Sequence, residues 1–349
     1  LFSMLATTDP SVVNQRTTVP STRTQNDNHH SLETMMLSSI SAWSLTLVLV
    51  SLPSPSTAFV VQTTSRSTRP PLSSLFASVQ EAQATVSLDR STARDFGSYQ
   101  EWAVQCGVQV NPDTGFCFLD QMVDDNAEQY AATSTGTSAG SVIMMVPGEM
   151  VLSSNRLQQE LQPYVDDQCF QVLQQANQMH MGAQFLLFLK VMLEYEAGSQ
   201  SPYFPWLNAM PRQWNTAVAM TDFCMSCLPP YLKQVCNGER DQFAAFSQAV
   251  QSFDHLSPSA KNNQDLLQFA YNIVMTRAVF DQNSQDWKLV PVADMMNHGH
   301  DANAQILHDP ESGACQVQTT RDVQPGEALK LQYGYFYNLD PSKCLAQYG

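Results

Sequence analysis

Basic residues are scarce in this 349-residue chain. Lys and Arg number 17 against 32 Asp and Glu, a formal net charge of −15. A field of that sign repels phosphate backbones, which argues against a nucleic-acid partner and favours basic peptides or protein tails. Charge of either sign is thin too, at 14% of residues where about a quarter is ordinary. With 43% apolar residues, this is not the composition of a chain held disordered by its own charge. Eight cysteines are too few for a disulfide scaffold. Their one close pair, Cys224 and Cys227, has no second pair at zinc-finger spacing and is expected as buried thiols, so no metal is expected. The length suits one large domain or two ordinary ones.

Acids are missing altogether from Thr34 to Gln80. Residues 1–34 are polar and lack hydrophobic period, and are expected as a disordered tail or as untranslated sequence read as protein. Within 35–58 the apolar run Ala42–Leu52 is followed by small residues ending at Ala58. Eleven residues of helix span about 16 Å, roughly half a bilayer's hydrocarbon core. A signal-peptide core cut after Ala58 fits better than a membrane span. Residues 59–94 open with a Ser/Thr/Arg-rich stretch of transit-peptide character behind Phe59. Together the two parts resemble the bipartite address of proteins sent to complex algal plastids. A plastid is the expected location, and the alternatives are secretion or the cytoplasm.

Folded sequence is expected over 95–349. Asp124–Ser141 is polar and glycine-bearing, which suggests a loop, and Ser141–Pro147 has the apolar run of a buried strand. Residues 155–285 are helical in pattern, with Asn155 and Gln158 placed as N-cap and capping box. Gly182–Ala197 is apolar on nearly every face, so it should be a buried helix closing at Gly198. Ser201–Pro211 carries three prolines and is expected as a rigid loop, and a further helix is expected over Asn262–Phe280. Beyond Trp287 the period becomes two, giving strands at Leu289–Val292, Ala304–His308, Cys315–Thr319 and Ala328–Gln332. Strands, a helical block and strands again give an α+β class: a β-rich fold with a large helical insertion.

Three clusters could carry chemistry. Arg277 falls on the buried face set by Leu266, Phe269, Ala270 and Ile273, where a guanidinium needs an anion; a core salt bridge to Asp294 would be enough. Asp294, Asn297 and His298 end an apolar strand and bring acceptors and donors together, which suits a zwitterionic or purine ligand. Tyr333 stands before Gly334, which permits a sharp turn, and Tyr348 closes the sequence.

In this order the motifs V-x-x-R at 274–277, P-V-A-D-M-M-N-H at 291–298, P-G-E at 325–327 and Y-G…Y-G at 333–349 resemble a SET-domain methyltransferase. The nearest subgroup is the Rubisco large-subunit lysine methyltransferase type, with the helical block at the place of that family's insertion. The resemblance implies a pseudoknot-like C-terminal threading. It also implies that Arg277, Asp294, Asn297 and His298 hold S-adenosylmethionine, that Tyr333 is catalytic, and that Tyr333 and Tyr348 wall the substrate channel. Three features depart from the family, one being a Tyr333-to-Tyr348 interval about two residues longer than the family pattern. No early glycine-rich cofactor strand is recognisable, and the match stops where the family continues into a helical substrate-binding domain, as expected of a truncated chain.

The implied activity is protein-lysine N-methylation of a non-histone protein by a monomer without stable membrane insertion. The alternatives are histidine methylation, or an inactive SET fold that binds a peptide or protein; a tethered scaffold would need Ala42–Leu52 to persist.

Overall fold

The computed structural model describes residues 84–349 apart from 124–125, 166 and 334–339, and leaves the side chains of 120–129 aside. The expectations for 1–58, the cleavage after Ala58, residues 59–83 and the Gly334 turn lie outside the described residues. Residues 84–94, expected as linker, already pack on the fold. Val86 is fully buried, Ser199 N–H donates to the Ala84 carbonyl at 2.8 Å, and Arg94 Nε donates to the Ala209 carbonyl at 2.7 Å.

Helix α1 (Phe96–Gln105) is capped by the Asp95 carboxylate and leads into β1 (Gln109–Val110), β2 (Phe116–Val123), β3 (Asn126–Thr133) and β4 (Val142–Val146). β2 and β3 form an antiparallel hairpin, so half of the expected 124–141 loop is strand. The polar residues of β3 hid it; among its residues with described side chains, Ala131, Ala132 and Thr133 are buried, too short a run for a period-two pattern.

The helical block starts at β5 (Leu152–Ser153), followed by α2 (Ser154–Leu161), α3 (Asp167–Gln175), α4 (Gly182–Glu196), α5 (Phe204–Asn208), α6 (Asp222–Ser226), α7 (Pro230–Ala249), α8 (Pro258–Lys261) and α9 (Gln264–Arg277). Ser153, not Asn155, caps α2, its hydroxyl accepting from Arg156 N–H at 3.1 Å. The cap moves because buried Asp286 accepts from the Ser153 and Ser154 hydroxyls and from Asn155 N–H at 2.7–2.9 Å, pinning the first turn from outside. α4 is the buried helix expected. Its Phe185 and Phe188 rings lie 5.2 and 5.5 Å from Phe246 of α7. Pro205 opens α5 within the stretch expected as loop, since proline suits a helix's first turn.

Short strands follow: β6 (Val279–Asp281), β7 (Asp286–Leu289), β8 (Asn297–His298), β9 (Ala304–His308), β10 (Cys315–Thr319) and β11 (Lys330–Leu331), then α10 (Pro341–Tyr348). A four-stranded antiparallel sheet runs β1-β4-β10-β9, a second sheet runs β5-β7-β6, and β8 pairs β11 in parallel. Lys288 closes the second sheet from within, its Nζ 2.8 Å from Asp281. The α+β fold with its helical insertion is as expected. The Leu289–Val292 strand is not: β7 ends at Leu289 and the chain turns away. Cys224 and Cys227 are exposed rather than buried, because α6 is only five residues long and both flank its surface side. Among the described residues no helix is long and apolar enough to cross a membrane.

Candidate active site

The site begins where the chain leaves β7. Residues 290–296 are all buried, and Val292 has φ 73° and ψ −50°, a γ-turn geometry that a β-branched residue adopts only at a cost of about 1–3 kcal/mol. The neighbouring core enforces it. Val292 N–H donates to the hydroxyl of Tyr99, a fully buried side chain of α1. The reversal runs into a single 3-10 turn, Ala293–Met295, which drives Asp294 inward.

Asp294 is 7% exposed and meets two groups. Trp206 Nε1 of α5 donates to its Oδ2 at 2.9 Å, and Arg277 Nη1, from the last turn of α9, stands 4.0 Å from the same oxygen. The shorter Arg277 contact is to the Asp294 carbonyl, at 2.6 Å. Burial pushes the Asp294 carboxyl above the usual carboxylate range, while Arg277, Trp206 and Arg94 pull it back. The salt bridge anticipated between Arg277 and Asp294 is therefore real but loose. Asp294 Oδ1 and Arg277 Nε are both buried without a hydrogen-bond partner.

Beyond the turn, the parallel pairing of β8 with β11 sets Asn297 opposite Lys330 and His298 opposite Leu331. Two residues on, Tyr333 N–H donates to His298 Nδ1 at 2.9 Å, so a neutral His298 carries its proton on Nε2. Burial lowers the His298 pKa and so does neighbouring His300, against a backbone hydrogen bond at Leu331. The Tyr333 hydroxyl donates to the Met296 carbonyl, and burial raises its pKa. Its ring lies 5.3 Å from His298 and 5.2 Å from Tyr348. Tyr348 is held by its neighbours in α10: the Gln347 amide donates to the Met275 carbonyl, and the Ala346 carbonyl accepts from Ala217 N–H at 2.8 Å.

Arg277, Asp294, His298, Tyr333 and Tyr348 are thus drawn together by one reversed turn, one parallel pairing and one terminal helix. Asn297 shares the strand, with its side chain exposed. Sequence reasoning missed Tyr99, Trp206, Arg94 and Met296. Met296 acts through its backbone, which leaves no mark in sequence; Trp206 lies in a stretch whose three prolines point to a loop. Alongside, Leu329 N–H donates to the Ala131 carbonyl at 2.7 Å and Ala132 bridges Ala328, so a strand does border the site where no glycine-rich one was recognisable.

The sequence pattern of the SET domain matches residues 132–334. This chain belongs to the SET-domain family. No curated protein matches it by sequence. Among solved structures it is similar to the SET domain of LSMT bound to lysine and AdoHcy, with a TM-score of 0.56 at 14% identity over 72% of this chain and 56% of that one. Rubisco LSMT bound to sinefungin and monomethyllysine gives 0.55 at 16% identity, over 72% and 55%. Rubisco LSMT bound to AdoMet gives 0.53 at 16% identity over the same shares. The chain therefore spans little more than half the length of these relatives.

Proposed function

We propose that the chain is an S-adenosylmethionine-dependent protein-lysine N-methyltransferase acting on a non-histone protein in a plastid. The observation that carries this is Tyr333, whose backbone N–H donates to His298, whose phenol donates to the Met296 carbonyl and whose ring meets that of Tyr348. The likeness to LSMT, which has been seen with AdoMet and with monomethyllysine, supports it at the level of fold.

The donor set fits the cofactor. An amino-acid end group needs an acceptor for its ammonium and a donor for its carboxylate, and Asp294 Oδ1 and Arg277 Nε are an unpaired acceptor and an unpaired donor. Asn297 and the Nε2–H of His298 would add exposed and half-buried polar groups beside them. Bound there, S-adenosylmethionine supplies an electrophilic methyl group on a cationic sulfur. The residues of the chain do the rest by position. Tyr333 and Tyr348, in contact with each other, would form one aromatic wall against which an alkyl amine lies. Lysine's ordinary pKa is about 10.4, so presenting it neutral near pH 7.4 costs roughly 4 kcal/mol, and an apolar wall beside a cation reduces that cost. Tyr333 stays a phenol because burial raises its pKa, and with its proton committed to Met296 its oxygen lone pairs can accept weak C–H contacts.

Incubation of a plastid extract with the protein and methyl-labelled cofactor, followed by mass spectrometry, should find new methyl-lysine. Methylation confined to histidine would replace lysine in this reading. One observation favours a second reading, an inactive peptide-binding SET fold: the sequence has no recognisable early glycine-rich cofactor strand. A calorimetric titration with S-adenosylmethionine separates the two, since the inactive fold gives no binding heat.

A further inference from the structure

On the insertion side of the site lies a cavity of about 450 Å³. One wall is the face of α9 that carries Asp265, Gln268, Phe269 and Asn272, spaced as one helical stripe. The opposite wall is the segment 212–221, and Leu88 and Arg90 close a third side. Trp214 and Phe269 meet edge to face at 5.7 Å and give the cavity its aromatic surface.

The unusual member of the lining is Arg212. It is 8% exposed, and among the described residues no carboxylate stands in ion-pair reach of it. Its Nη groups donate to the carbonyls of Leu207, Asn208 and Met210 and to the Asn208 side chain, which orient the guanidinium without neutralising it. Nε has no partner. Burial lowers its pKa, the mark of a cation held out of water without an anion. Arg90 adds a second cation and Asp265 is the one acid, so the lining carries a net positive charge inside a chain of −15.

The cavity adjoins the aromatic wall. Thr216 donates to Asn272 at 2.8 Å, and the next residue, Ala217, is bonded to Ala346, two residues before Tyr348. Asn215, in the lining, lies so close to Gly349 that an added Cβ there would meet its Cβ at 2.8 Å. A polypeptide with its lysine against the aromatic wall of Tyr333 and Tyr348 would pass beside the cavity, at about 3.3 Å per extended residue.

We infer that this cavity is a specificity pocket for an acidic side chain, Glu or Asp, flanking the target lysine in the substrate polypeptide. The inference rests on the lysine-methyltransferase reading. The carboxylate supplies the anion that Arg212 lacks, and Trp214 and Phe269 cover its methylenes. Asp265 opposes it and keeps the pocket selective, since a second acid so close is repelled unless both arginines are engaged.

The test measures binding of short fluorescent lysine-centred peptides carrying Glu or Gln at each flanking position in turn. At one position the Glu peptide should bind at least about fivefold more tightly than its Gln counterpart. Arg212→Gln should bring that ratio close to one. Since Arg212 also ties three carbonyls, Arg90→Gln, an exposed change, gives a second reading and should lower the ratio too; Asp265→Asn should raise it. Equal binding of Glu and Gln peptides at every position, no binding of any Glu peptide, or a ratio that survives both arginine changes would overturn the pocket. Mass spectrometry of the same peptides after incubation with S-adenosylmethionine reads the enzyme separately. Methylation without Glu preference removes the pocket alone, and Glu preference without methylation removes the catalytic reading alone.

Discussion

At the scale of single residues, the site is a set of side chains each committed at one end. His298 receives the Tyr333 N–H on Nδ1, which it can do only while that nitrogen is unprotonated. Its pKa is lowered, so the neutral form prevails above about 6.5, the ordinary histidine value, and the bond is lost as the pH falls below the lowered value. Methyl transfer should therefore be flat on the basic side of that limit with respect to His298 and decline on acidification. A single-turnover rate profile in pH, compared with that of His298→Asn, reads it; the variant should lose the acid limb. Asn297 is a different case. Being exposed, its amide exchanges water for ligand on binding, a net gain of about 1 kcal/mol, so Asn297→Ala should weaken S-adenosylmethionine by about fivefold without touching the melting temperature. Unchanged affinity in calorimetry would remove Asn297 from the cofactor site.

At the scale of elements, α2 depends on a cap that it does not own. Ser153 supplies the side-chain cap and Asp286, more than a hundred residues away in sequence, holds the turn in place. Ser153→Ala removes one of these and should cost about 0.5–2 kcal/mol, seen as a melting temperature lower by a few degrees. Asn155→Ala should cost less, which separates the observed cap from the one the Asn155/Gln158 spacing suggests. That spacing was a fair local signal, and it failed because a distant carboxylate supplied the competing hydrogen bonds. The same distinction runs through the fold. α4, α9, β4, β9 and β10 were legible because each buries a regular apolar stripe. The second strand of the β2–β3 hairpin and α5 were not, since one opens on polar residues and the other is shaped by prolines that signal a loop. The reversal at Val292 had no sequence signal at all; it exists because Tyr99 and Asp294 leave the backbone no other course. Motif order singled out Arg277, Asp294, His298, Tyr333 and Tyr348, and the fold brings these residues together. Their partners were not legible, being a backbone carbonyl at Met296 and a tryptophan at 206 that no spacing connects to Asp294.

At the scale of the whole molecule, on the proposed reading, the net charge of −15 governs which polypeptides approach and the cationic cavity beside α9 governs which are retained. Location decides which polypeptides are met. The proposed plastid address predicts that residues 35–90 fused to a fluorescent protein deliver it to the plastid and that Phe59→Ala diverts it; uniform cytosolic fluorescence would contradict the address.

The methyltransferase reading stands or falls on one hydroxyl. Tyr333→Phe keeps the ring, its contact with Tyr348 and its backbone bond to His298, and removes only the oxygen bonded to Met296. An interaction made chiefly in the transition state lowers the rate constant with little change in binding. Single-turnover methyl transfer by the full-length protein, on a substrate the parent methylates, should slow by about tenfold or more in Tyr333→Phe while S-adenosylmethionine binds within about twofold of the parent. Equal rates in parent and variant would contradict the role given to Tyr333 and, with it, the catalytic reading of the site.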